Sequence, residues 1–147
     1  MNMKTRAAAG FIATGALLAS CASPPPGRTA SAPPCKAADC VMDVHVGDDC
    51  AITPGETDAW TIEATGSRLV WHLDDVSAAK YKFPDDGVAF KGDTKNQFHG
   101  GRPVHDRREF QWIDAHDASG TFTYRIRVVT HDESGACVQP DPFIINN

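Results

Sequence analysis

Histidine, cysteine and paired carboxylates are the residues of this 147-residue chain with the chemistry to hold a metal, form a cross-link or move a proton. His99 and His105 are the nearest pair of imidazoles, in Phe98-His99-Gly100-Gly101-Arg102-Pro103-Val104-His105-Asp106, and both read as belonging to one loop. A neutral imidazole there is within reach of a cation. A metal centre, however, needs three or four ligands in fixed geometry with ordered outer partners, and two glycines beside arginines supply neither order nor charge balance. His99 and His105 therefore stand as the alternative, a small-ligand or metal site, and no cofactor is assigned. Asp48-Asp49, Asp74-Asp75 and Asp85-Asp86 are adjacent in sequence. Neighbours on a strand point to opposite faces, so these pairs read as turn formers or caps and not as a general acid and base. No Gly-x-Ser-x-Gly elbow and no His-Glu-x-x-His pair is present, and the expectation is a protein that is not an enzyme.

The N-terminal segment explains the odd cysteine. Lys4 and Arg6 precede an apolar run from Phe11 to Leu18, too short to span a bilayer, and Leu18-Ala19-Ser20-Cys21 resembles a bacterial lipobox. The resemblance implies a signal peptide over residues 1–20 and lipidation of Cys21. With Ala at position 22, it implies outer-membrane anchoring with the domain in the periplasm. Residues 22–34 hold five prolines in 13 residues and no large apolar side chain, so 21–34 reads as a lipidated cysteine and a proline-rich tether. At about 3.1 Å per residue it would reach roughly 40 Å. Residues 35–147 then form one domain. Cys35, Cys40, Cys50 and Cys137 are an even set in an oxidising compartment, with three possible connectivities. The pairing expected is Cys50 with Cys137 and Cys35 with Cys40. The lone Cys35-x4-Cys40 spacing, lacking a second ligand pair, is weak ground for zinc.

Charge narrows the partners. The chain carries 14 Lys+Arg and 19 Asp+Glu; without Lys4 and Arg6 the balance is 12 against 19, seven negative. That excess disfavours nucleic acid and anionic headgroups and suits a monomeric surface domain. Residues 91–108 run against it, with Lys91, Lys95, Arg102, Arg107 and Arg108 opposed only by Asp93 and Asp106. Together with Phe98 they read as an interaction loop for an envelope protein or an anionic glycan.

The elements that must position these residues are strands. Met42, Val44 and Val46 alternate with polar neighbours, as do Trp60 and Ile62, Leu69, Trp71 and Leu73, and Phe122, Tyr124, Ile126 and Val128. Shorter pairs are Val88 and Phe90, Phe110 and Trp112, and Phe143 and Ile145, with the three tryptophans inward. Thr53-Pro54-Gly55, Thr65-Gly66-Ser67, Pro84-Asp85-Asp86-Gly87, Ala118-Ser119-Gly120 and Glu133-Ser134-Gly135 punctuate them. Only 75–80 reads as helical, for one turn. The expected fold is all-β, a single antiparallel or mixed Greek-key sandwich.

The turn and strand from Gly66 to Leu73, the strand from Gly120 to Ile126 and the closing run Asp141 to Asn146 resemble the cupredoxin-like fold over most of residues 40–147. Blue-copper members hold copper with cysteine, histidine and methionine because soft sulfur and imidazole select it. Here Ile126 stands in the thiolate position, Val129 in that of the following histidine, and no methionine follows Cys137. The resemblance implies a fold without a type-1 copper centre.

The lipid anchor, the tether, the disulfides and the acidic body together give the functional expectation: a non-catalytic envelope lipoprotein whose sandwich binds another protein, as scaffold or inhibitor.

Overall fold

The computed structural model describes residues 34–55 and 59–147. Cys21 and nearly all of the proline-rich segment lie outside them. Ten strands and one helical turn follow in chain order: β1 Asp39–Val46, β2 Ile52–Pro54, β3 Ala59–Ile62, β4 Ser67–Leu73, α1 Asp75–Ala78, β5 Tyr81–Lys82, β6 Val88–Phe90, β7 Phe98–Val104, β8 Glu109–Asp114, β9 Gly120–Thr130 and β10 Ala136–Asn146. One sheet has the order β2-β1-β4-β8-β7. The other runs β3-β10-β9-β5, with β6 also paired to β9. Both sheets are mixed, since β1 runs parallel to β4 and β10 parallel to β3 while the remaining pairs are antiparallel. The protein is an all-β sandwich.

Period-two patterning is what selects this fold. Along β1 exposed and buried residues alternate without a break, which puts Cys40, Met42, Val44 and Val46 on the inner face. β9 buries Phe122, Tyr124, Ile126 and Val128 in the same way, and β4 buries Leu69, Trp71 and Leu73. The aromatic residues meet between the sheets. Trp71, fully buried, packs edge-on against Trp60 at 5.8 Å and Tyr124 at 5.2 Å between ring centroids. Each such pair adds about 0.5–1.5 kcal/mol beyond the area it buries.

Two elements depart from the sequence reading. Residues 91–108 are not one loop, because Phe98–Val104 is strand β7 at the edge of the first sheet, paired to β8. Gly100, Gly101 and Pro103 hide it, since they break the alternation and Gly100 takes a left-handed φ of 69° where the register shifts between His99 and Arg102. Gly101 is required there: a Cβ would lie 2.2 Å from the Trp112 ring. At the other end of the chain, Phe143 and Ile145 are only half-buried, and Pro142, Ile144 and Asn146 point inward instead. A bulge between Pro140 and Phe143 inserts one residue against β9 and inverts the faces that follow.

Candidate interaction site

The sandwich has two ends, and the disulfides mark them. At the first, Cys35 pairs with Thr61 through its amide (2.8 Å) and is joined to Cys40 at the start of β1. This Cys35 end also holds the C-termini of β3, β8 and β10 and the N-termini of β4, β7 and β9. The opposite, far end is closed by Cys50–Cys137, 87 residues apart in sequence. Both pairings are those expected from the sequence.

At the far end five turns converge. The turn at 47–51 follows β1; α1 follows β4 and is capped by Asp74, whose carboxylate accepts from the Ser77 amide at 2.7 Å. Pro84–Gly87 joins β5 to β6, and 131–135 joins β9 to β10. The fifth, between β7 and β8, puts His105, Asp106 and Arg107 in succession at positive φ. Arg107 is held in that costly conformation by Phe83, whose amide donates to the Arg107 carbonyl at 2.8 Å while the Arg107 guanidinium donates to the Phe83 carbonyl at 3.2 Å.

These turns carry Asp48, Asp49, Asp74, Asp75, Asp85, Asp86, Asp106, Asp132 and Glu133. Lys80, Lys82, Arg107 and Arg108 stand among them, with Arg125 and Arg127 at the margin on the outer face of β9. Ion pairs knit the rim: Lys80 to Asp48 at 2.7 Å, Arg108 to Asp75 at 2.6 Å, Arg107 to Asp85 at 3.0 Å and Lys82 to Glu133 at 2.8 Å. Asp86 grips both outer arginines, one with each oxygen, Arg125 at 3.0 Å and Arg127 at 2.6 Å. Between Pro84, Asp85, Arg107, Arg127, Val129 and Glu133 lies an open groove of about 240 Å³. Local partners lower four of these carboxylates. The Thr130 and Ser134 hydroxyls and the Ser134 amide pull Asp132 down to about 2. Lys82 lowers Glu133, and Lys80 lowers Asp48. Asp74 is also lowered: partial burial opposes this, and the Ser77 and His45 hydrogen bonds outweigh it.

The residues singled out in 91–108 do not assemble. Lys91 is turned to Asp141 at 2.6 Å. Lys95 sits in a turn at the Cys35 end, its amide on Asp93 at 2.8 Å. Arg102, on the outer face of β7, spreads its guanidinium over the Gln111 amide oxygen at 3.0 Å. Arg107 and Arg108 alone reach the far end. Phe98 is 7 % exposed and stacks on Phe90 with centroids 3.7 Å apart, so it belongs to the core and offers nothing to a partner. His99 and His105 lie at opposite ends of β7, roughly 20 Å apart at about 3.3 Å per residue. His105 is occupied by Glu109 at 2.6 Å. The structure thus corrects the reading of 91–108 as a single loop and sets the two histidines at opposite ends of a strand. The arginines of β9 also border the candidate site, and Arg125-x-Arg127 on a strand is a same-face pair that the alternation itself reveals.

Among the described residues no three His, Cys, Asp or Glu side chains gather as a metal site requires. Ile126 is a core residue and Cys137 is committed to its disulfide. Among the described residues no helix is long and apolar enough to cross a membrane. No protein-family model matches the chain, and no curated protein matches it.

Proposed function

We propose that this protein is a non-catalytic lipoprotein of the outer membrane, anchored through Cys21, whose far end binds a basic protein in the periplasm as a scaffold or inhibitor. One observation carries the reading: the chain joins the sandwich at the Cys35 end, so a tether ahead of it leaves the other end directed away from the lipid, and that end is the acidic one. Among the described residues its nine carboxylates outnumber six basic side chains by three, and Glu109 beside His105 adds a tenth, whereas near the Cys35 end the exposed Asp39, Glu63, Asp93, Asp117 and Asp141 exceed Lys36, Arg68, Lys91 and Lys95 by one. Charge of one sign on a rigid rim raises the rate of encounter with an oppositely charged partner and orients it on arrival. Sheet edges are poor alternatives for docking: β7 is broken by its bulge and Pro103, β2 and β5 have three and two residues, and β3 has four and is bridged at Ile62 by Cys35. The cupredoxin-like resemblance, kept as part of this reading, is supported by two mixed sheets, each holding one parallel pair.

The test is site-specific photocrosslinking in the periplasm, with the reactive side chain placed at Asp49, Val76 or Asp132, and at Asp93 or Asp117 for comparison. Adducts to one basic protein from the first three positions, lost on Asp48→Lys with Asp75→Lys, are the expected result. Equal adducts from the comparison positions, or indifference to charge reversal, remove the far end from the account. Mass spectrometry of the N-terminal peptide tests the anchor separately, since an unmodified Cys21 would end the lipoprotein reading.

A further inference from the structure

Asp114 is fully buried at the end of β8. One carboxylate oxygen accepts from the His116 amide at 2.9 Å, and the two oxygens lie 3.2 and 3.0 Å from the Asn146 side-chain nitrogen. His116, at a φ of 57°, folds its ring back over the same place. Its Nε2 is 2.9 Å from the main-chain oxygen of Asn147, which only accepts, so Nε2 must carry a hydrogen. Nδ1 then faces the second Asp114 oxygen at 3.8 Å and has no hydrogen-bond partner among the described residues. An ionised carboxylate opposite a bare imidazole nitrogen sets two acceptors against each other where water does not screen them. A single proton between them turns that repulsion into an ion pair or a hydrogen bond.

Among the described residues no other positive charge faces the pair. From β4, Ser67 spends its hydroxyl on the carbonyls of Ala64 and Ala37. Gln97, just ahead of β7, accepts from the Ala118 amide, and Asn146 of β10 is neutral. The loop after β8 adds only the exposed Asp117, a like charge. Arg68 and His99, on β4 and β7 at the level of Ile113, lie on the outer face, away from the inward Asp114. Burial pushes the Asp114 carboxyl above its ordinary range, against the pull of its hydrogen bonds and of His116.

We propose that Asp114 and His116 are a proton-controlled latch, closed while one proton is held between them, that fastens residues 146–147 and the loop at 115–119 to the end of β8. The site matters because of what it adjoins: Asn146 is in register with Ile62 of β3, and Ile62 bridges Cys35. Proton loss therefore loosens the joint at which the chain enters the sandwich, independently of what the far end binds.

Hydrogen exchange on the mature protein tests this through the His116 amide, which donates directly to Asp114, with the Leu73 amide, bonded to the Arg108 carbonyl at the far end, as internal reference. After correction for intrinsic rates, His116 protection relative to Leu73 should fall about tenfold between about pH 5 and about pH 8, the equivalent of one pKa unit of differential stability. In Asp114→Asn the side chain at 114 carries no charge to set against Nδ1, and the ratio should stay within about twofold over the same range. His116→Gln, which keeps a donor for Asn147 and does not titrate, should be flat as well and serves if the first variant fails to fold. An equal fall in wild type and in either variant, or a flat wild type, overturns the proposal.

Discussion

The two ends of the sandwich solve the problem of placing carboxylates in opposite ways. At the far end they are exposed, paired or capped, and held below their ordinary range, as Asp48, Asp132 and Glu133 are. At the Cys35 end, Asp114 is buried among neutral amides and pushed above its range. Linkage gives these shifts opposite signs. A lowered carboxylate stabilises the fold above its unfolded pKa and loses that contribution as pH falls; a raised one costs stability as pH rises toward its folded value. One domain therefore has an end that acid weakens and an end that base weakens, and the comparison shows how a charge is placed to serve solvent or to serve packing.

The largest effect expected is on the disulfides, because each end has one. Replacing Cys50 and Cys137 together by alanine releases a loop of 87 residues and should cost about 4.6 kcal/mol in the chain-entropy account, against about 2 kcal/mol for Cys35 with Cys40, five residues apart. Denaturant unfolding of the two double variants checks the ranking. Equal losses would mean that the far end is held by its turns and ion pairs more than by its cross-link.

Next comes the buried amide. Asn146→Ala leaves Asp114 with the His116 amide as its remaining hydrogen bond on this side, and a charged group deprived of a partner in the interior costs about 2–3 kcal/mol. Since the penalty falls on the ionised form, the loss should grow as pH rises above the ordinary carboxylate value. A loss that is constant with pH would show that packing at Asn146, and not the charge on Asp114, sets the cost.

How far such features can be read from sequence differs between the ends. The inner faces of β1, β4 and β9 are legible because each alternates over at least seven residues, and both disulfides are legible because an oxidised even set constrains the chain. Inversion of the last strand is not, since a bulge adds one residue without altering composition. The same holds for β7, whose glycines and proline signal a turn when read locally and become an edge strand only when Trp112 needs a flat neighbour. The six basic and aromatic residues of 91–108 looked like one site because they are near in sequence; a seven-residue strand carries them to different ends. Asp114 and His116 are not legible in the sequence, because burial, which gives them their chemistry, leaves no local mark.

Acid should reveal the far end selectively. Asp132 titrates from its ordinary 3.8 down to about 2, so the stability it contributes is complete above about pH 3.8 and disappears as pH falls through that interval. The Ser134 amide, which donates to Asp132 at 3.1 Å, should lose protection there while the His116 amide keeps its own. Asp132→Ala should abolish the acid dependence at Ser134 without touching His116. If both amides respond together, the ends are not separable and the fold opens as one unit.

The smallest effect concerns the rim that the proposed partner would meet. The Lys80 and Asp48 side chains are 59 % and 94 % exposed, so water and salt screen the pair, and ordering a long lysine side chain offsets much of the attraction. Lys80→Ala should therefore leave the midpoint of denaturant unfolding essentially unchanged. The same substitution removes one positive charge from the acidic rim, so partner association should become faster at low salt, and the gain should vanish as salt is added. A stability loss comparable to that of Asn146→Ala would instead make the rim structural, and the division of labour between the two ends would have to be abandoned.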